Sequence, residues 1–198
     1  LPQLTRVPGR MATADELAYG HDPKYVAMVE EACRRGGGML DADTYTNEFS
    51  YDAASQAVGG LLELTSAVIK GELDNGFALV RPPGRHAVPG RAMGFCLFGT
   101  VAIAARAAIK DMGLERVAIV DFDVHHGNGT QDIFYEDPSV LFVSVHLHIP
   151  MLFYPGTGAS HETGRGPGLG FNMNVPLPPH VGNRGYERVF AELIRPKA

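Results

Sequence analysis

The sequence has little of what several protein classes require. Only two cysteines occur, Cys33 and Cys96, too few for a disulfide framework; their scarcity fits a reducing compartment or indifference to redox, and a cytoplasmic location is expected. No apolar run reaches the roughly 18 residues of a membrane-spanning helix, and no basic-then-apolar signal segment opens the chain. Lys and Arg total 17 against 22 acidic residues, a net charge of −5 without a basic cluster. Counterion release at a phosphate backbone needs such a cluster, so direct nucleic-acid binding is not expected. An acidic surface still suits basic partners such as Lys-rich tails. No G-x-G-x-x-G precedes a helix, no G-K-[ST] follows a glycine loop, and G-x-S-x-G does not occur. These absences exclude a dinucleotide loop, a P-loop and an elbow-type serine hydrolase.

What remains is ordinary globular composition: 198 residues, 45% hydrophobic and 20% charged, with 24 Gly and 14 Pro. The length suits a single domain or a large part of one. Leu1 to Arg10 is aperiodic. Thr13 and Glu16 form a capping box for a short helix, and Asp22-Pro23 starts a second one with Val26, Val29 and Cys33 as its stripe, ended by Gly36-Gly37-Gly38. Asp41 to Phe49 reads as an exposed loop. Ser50 to Lys70 has the longest helical period. Phe98 to Ile109 is a small-residue helix, Thr130 to Tyr135 a short one, and Tyr186 to Ile194 a last one. Buried strands are expected at Phe77–Val80, Val117–Val120 and Val140–Val145, with another at Asn172–Val175. Ile149 to Gly170 is loop. Strands alternating with helices predict an α/β fold with a mostly parallel sheet.

Three expected strands end in polar chemistry: Arg81 to Ala87, Asp121 to Gly129, and Ser144-Val145-His146. If the strands are parallel these ends share one edge, where open α/β folds bind ligands. Asp123 and His125, two residues apart, fall on one face of an extended segment and offer an oxygen and a nitrogen donor suited to zinc. The alternative is a polar turn with both satisfied locally. His126 faces the other way and is expected to pack or support. His86, after a rigid Pro-Pro-Gly turn, is a candidate general base or a structural histidine. Asn128 is its candidate orienting partner or a turn residue. Cys96, beside Phe95 in an apolar stretch, reads as core.

Five ordered motifs go further: Arg81 to Ala87, Gly94-Phe95-Cys96-Leu97-Phe98, Asp121 to Thr130, Phe134 to Val140, and Phe153 to Gly158. Together they resemble the histone deacetylase family, most closely its class II branch and bacterial deacetylase-like amidohydrolases, from about Thr13 to Val189. The resemblance implies the three-layer arginase/deacetylase fold. It also implies a zinc-dependent amidohydrolase acting on acetylated (acylated) lysine or a related amine. Asp123 and His125 match zinc ligands, His86 the general base and Asn128 its orienting residue. Phe95 and Tyr154 match the walls of an acyl-lysine tunnel, and Asp43 a rim residue that grips substrate amides. Asp121, Ser144 and Val145, with carbonyls of Asp123 and His125, match a potassium site. Phe134, Asp137 and Val140 match a second monovalent site. The implied cofactors are Zn²⁺ and K⁺, the implied partners an acetylated lysine peptide or acetylated polyamine, and a homo-oligomer is left open.

The sequence departs from the family in three respects, one being Gly99-Thr100 where the family has Asn-Asn or Asn-Asp after the Gly94 to Phe98 motif. Arg85 stands where the family has the first of two tandem histidines. It is expected to pair with Asp121 and to depress the pKa of His86, so that Arg85→His changes the pH–rate profile. The family's third zinc ligand and transition-state tyrosine have no counterpart before Ala198, and early family segments are missing. The sequence is therefore expected to be an internal fragment, one partial domain over residues 1–198, inactive alone. The alternatives are an acetylpolyamine amidohydrolase and a non-catalytic acyl-lysine-binding relative. Asp121 to His125 lacks the carboxylate order of the two-manganese ureohydrolases.

Overall fold

A computed structural model describes residues 4–150 and 152–196. Residues 1–3 of the opening loop, Met151 of the long loop and residues 197–198 lie outside the described residues. Contacts divide the chain into two units, Leu1–Leu114 and Glu115–Ala198.

The first unit is mainly helical. In α1 (Ala14–Leu17) the Thr13 hydroxyl accepts from the Glu16 N–H and the Glu16 carboxylate accepts from the Thr13 N–H, completing the capping box. Asp22 caps α2 (Pro23–Arg34) by accepting the Lys24 N–H at 2.8 Å, with proline as the first helical residue. Gly36 and Gly37, both at positive φ, end it as expected. The long α3 (Ser50–Ile69) and the alanine-rich α4 (Thr100–Lys110) pack together; buried Ala104 and Ala107 of α4 join Val58 and Leu62 of α3 in one core with Leu17, Val29, Phe98 and Ile103. Small side chains let two helix backbones approach closely, which is why α4 is alanine-rich.

Two expectations in this unit are corrected. The segment read as an exposed loop, Asp41 to Phe49, carries the turn and second strand of a hairpin, β1 (Gly38–Asp41) antiparallel to β2 (Thr44–Thr46). Thr44 and Thr46 point inward while Tyr45 is exposed, so the period of two is present. Its inward positions are hydroxyls rather than hydrocarbons, and Thr46 donates to the Gly38 carbonyl at 3.0 Å. A hydrophobicity pattern does not register such a strand. Conversely, Phe77–Val80 has no strand pairing among the described residues, and Phe77 and Leu79 are 84% and 90% exposed. A four-residue apolar run supplies side chains for a strand but not the neighbour whose backbone groups must pair with it.

In the second unit, β3 (Val117–Asp121), β4 (Val140–Leu147) and β5 (Asn172–Leu177) form a parallel sheet in that order. The register pairs Asp121 with Ser144, and Phe142 with Asn172. Central β4 is buried at Val140 and from Phe142 to His146, as a strand covered on both faces must be. The short α5 (Asn128–Phe134) connects β3 to β4. After β5 come α6 (Asn183–Val189) and one π-type turn over Phe190–Ile194, which pack Val189 and Ile194 against Val143, Val145 and Val175. No described helix is long and apolar enough to cross a membrane.

Candidate active site

Parallel pairing brings the ends of β3 and β4 to one edge of the second unit's sheet, as the order of strands and helices predicted. The loop after β3 curls rather than extends. The Asp123 N–H donates to Asp121 Oδ1 at 3.0 Å, and the His125 N–H donates to Asp123 Oδ1 at 2.8 Å. These successive side-chain-to-backbone turns, not a strand pleat, put Asp123 and His125 side by side. Asp123 Oδ1 and His125 Nδ1 lie 3.4 Å apart, both partly exposed. The His125 ring stacks on Phe153 at 4.9 Å and meets Tyr154 edge-on at 5.9 Å.

That separation fits a metal. Two ligands bound at 2.0–2.2 Å in a tetrahedral array are themselves about 3.4 Å apart. Oxygen and imidazole nitrogen are also the donor types that zinc accepts. The two make a partial set: no group of three or more His, Cys, Asp or Glu among the described residues could hold a metal.

His126 turns inward and is buried, as expected, with Nδ1 on the Thr157 hydroxyl at 2.8 Å and Nε2 on Gln131 Oε1 at 3.1 Å. It belongs to a buried polar network that motif reasoning missed. Gln131 donates to Glu162 Oε2 at 2.6 Å, and Glu162 Oε1 accepts the N–H groups of Gly158 and Ala159 at 2.9 and 2.8 Å. Burial alone would raise the Glu162 carboxyl; the donors from Gln131, Ala159 and Gly158 outweigh it and hold the group below its ordinary value. His146, at the end of β4, bonds Ser144 Oγ through Nδ1 at 2.9 Å and the Gly158 carbonyl through Nε2 at 3.0 Å. Burial lowers its pKa. Gly158 has φ +97°, and a Cβ there would sit 2.4 Å from His146 Nε2. The network thus fixes the loop that carries Phe153 and Tyr154. Its only sequence signal was a set of polar residues with no surface pattern: Gln131, Glu162, Asn172 and Asn174.

The residues assigned to monovalent sites also cluster. Asp121 and Ser144 are ladder partners, with Val145 next in the chain. Gly127 lies so close that a Cβ would be 2.5 Å from Asp121 Oδ2. The Phe134 carbonyl accepts the Asp137 N–H at 3.0 Å in the turn leading to Val140. Asn128 is buried as the first residue of α5.

In the first unit, His86 is buried in the turn after Pro82-Pro83-Gly84. Its N–H and that of Arg85 donate to Cys96 Sγ at 3.4 and 3.5 Å, and the thiol donates to the Gly94 carbonyl at 3.3 Å. Burial pushes the Cys96 thiol above its ordinary pKa, which suits an acceptor buried in the core rather than a nucleophile. Gly94, at φ +60°, backs the His86 ring; a Cβ would lie 2.6 Å from His86 Cδ2. Asp43 Oδ1 accepts the Gly94 N–H at 3.1 Å, and the Thr44 hydroxyl accepts the Phe95 N–H at 3.2 Å. His86, Phe95 and Asp43 are therefore brought together around one backbone segment. Phe95, 61% exposed, lines a cavity of about 370 Å³ with Asp43, Tyr45, Arg81, Pro82 and Leu97.

These features agree with the chain's relatives. A model of the histone deacetylase domain matches residues 1–198. Histone deacetylase 9 of Homo sapiens is 48% identical over 168 residues, 82% of this chain and 17% of that protein. A probable deacetylase of Archaeoglobus fulgidus is 43% identical over 185 residues, 93% of this chain and 50% of that one. The crystal structure of the HDA15 HD domain superposes with a TM-score of 0.90 at 41% identity, covering 96% of this chain and 53% of that one. The chain thus spans half or less of the length of these two relatives and about half of the solved domain. A match along its whole length, with a parallel α/β sheet whose strand ends carry the expected residues, places this chain in the histone deacetylase family.

Proposed function

We propose that the protein to which this sequence belongs is a zinc-dependent amidohydrolase that removes acetyl or related acyl groups from lysine side chains. The observation that carries the reading is the 3.4 Å approach of Asp123 Oδ1 to His125 Nδ1, a ligand–ligand spacing for a tetrahedral ion. Asp123 and His125 would hold the ion, which when bound supplies Lewis-acid polarisation of the amide carbonyl and a more acidic water. An imidazole nitrogen of His86 takes the proton of the attacking water and returns it to the departing amine, with Asn128 orienting the ring. The family resemblance gives Phe95 and Tyr154 the role of apolar walls for a lysine stem, which would exclude water, and Asp43 that of an acceptor for backbone N–H groups of the substrate. Asp121, Ser144 and Val145 would hold a potassium ion, and Phe134, Asp137 and Val140 a second monovalent ion.

The test is zinc content together with acetyl-lysine peptide hydrolysis, with and without chelator, for the complete protein and for Asp123→Asn. About one zinc per chain and chelator-sensitive turnover, both lost in the variant, are expected. Zinc without turnover would favour an acyl-lysine-binding relative, with Arg85 the first position to revert to His. Turnover competed away by acetylated polyamines rather than peptides would move the substrate class. No zinc at all would overturn the reading.

A further inference from the structure

The backbone segment that carries Phe95 is held in an unusual state by two neighbours in the hairpin. Phe95 has φ +63°, the left-handed region that a bulky side chain rarely adopts, and Gly94 before it has φ +60°. Such a state persists only where surrounding contacts over-determine it. Here the contacts are explicit. The Thr44 hydroxyl donates to Asp43 Oδ1 at 2.8 Å, which commits its single proton and leaves a lone pair for the Phe95 N–H at 3.2 Å. The same Asp43 oxygen accepts the Gly94 N–H at 3.1 Å. Thr44 is only 1% exposed, so water does not compete for these bonds, whereas the Phe95 ring is exposed over the cavity it lines with Asp43 and Tyr45.

We infer that Thr44 is a positioning residue: its buried hydroxyl locks the left-handed backbone at Phe95 and so sets the direction in which the aromatic ring is presented to substrate. The inference rests on the proposed function in giving Phe95 a substrate to touch, but the lock itself does not depend on it. Tyr45, next in β2, points outward, so the inward place of Thr44 is fixed by the strand's alternation. Valine at position 44 keeps shape and β-branching and removes both hydrogen bonds. Serine keeps the hydroxyl.

Two measurements on the complete protein test this. The first is amide hydrogen exchange at Phe95, read by NMR. Thr44→Val should speed exchange at Phe95 about tenfold while α3 and α4 amides keep their protection, and Thr44→Ser should leave it unchanged. The second is steady-state hydrolysis of an acetyl-lysine peptide. Thr44→Val should raise KM about fivefold with kcat within about twofold, because a misdirected wall weakens ground-state and transition-state binding alike, and Thr44→Ser should restore KM. Thr44→Ala replaces the valine variant if that one does not fold. Unchanged exchange and unchanged KM in the hydroxyl-free variant would overturn the inference, as would a serine variant as impaired as valine. A wild-type protein with no turnover would sink the deacetylase reading instead, and the exchange comparison would still decide the lock.

Discussion

Acidification should destabilise the first unit through one buried histidine, His21. It sits between α1 and α2, 4% exposed, with rings of Tyr25 and Phe98 at 5.3 and 5.5 Å. Its Nε2 accepts the Gly99 N–H at 2.7 Å, so the proton lies on Nδ1, facing the Val88 and Pro89 carbonyls at 3.1 and 3.3 Å. A second proton would convert Nε2 into a donor facing a donor. Burial lowers the pKa from 6.5 to about 4, against the raising effect of the two carbonyls. A depressed folded-state pKa means the unfolded chain binds more protons between these values, so stability falls as pH falls. The contribution is intact above about pH 7, costs about 2 kcal/mol by pH 5 and about 3 kcal/mol by pH 4. Protonation also detaches Gly99, the residue at the N-terminus of α4. The assay is urea unfolding followed by circular dichroism at about pH 7.5, 5 and 4, for the protein and for His21→Gln. The variant should be about 1–2 kcal/mol less stable at neutral pH, from lost hydrogen bonds, with a flatter pH profile. Its curve should therefore meet that of the wild type between about pH 6 and pH 5 and lie above it at about pH 4. Two curves falling in parallel, or a His21 ring titrating near 6.5 by NMR, would refute the argument.

Three further perturbations have defined outcomes. Gly94→Ala puts a methyl 2.6 Å from the His86 ring at a left-handed backbone position; a loss of about 2 kcal/mol or more in stability is expected from denaturation assays. Gly158→Ala forces a Cβ to 2.4 Å from His146 Nε2 at φ +97°, and should lower the melting temperature by several degrees and increase proteolytic cutting in the loop bearing Phe153 and Tyr154. Glu162→Gln replaces an acceptor-only carboxylate by an amide that meets Gln131 and two N–H groups; a cost of about 1–3 kcal/mol at neutral pH is expected, shrinking as pH falls through the carboxylate range because the wild-type carboxylate, held low, loses its advantage when protonated.

Much of this molecule was legible in the chain because its determinants are local. The capping box at Thr13 and Glu16, the Asp22 cap, the period of α3 and the buried runs of β3 and β4 each depend on residues within a few positions of one another. The strand–helix–strand order pointed to parallel pairing, and the parallel register sets Asp121 beside Ser144 at one sheet edge. The inward turn of His126 also followed from the chain. Other features depended on partners distant in sequence. Whether Phe77–Val80 is a strand turns on a neighbour, and whether Thr44 faces inward turns on what its hydroxyl can bond. Asp123 and His125 meet through Asx turns in a curled loop, although an extended chain would also have set them on one face. The Gln131–Glu162–His126 network is closed by hydrogen bonds that span 31 positions of chain, between residue types that are ordinary on a surface. Sequence alone determined which groups this protein can use, since residue type and local spacing set donors, acceptors and element boundaries. Tertiary structure decided which of them meet, because burial removes water as the competing partner and makes each hydrogen bond obligatory.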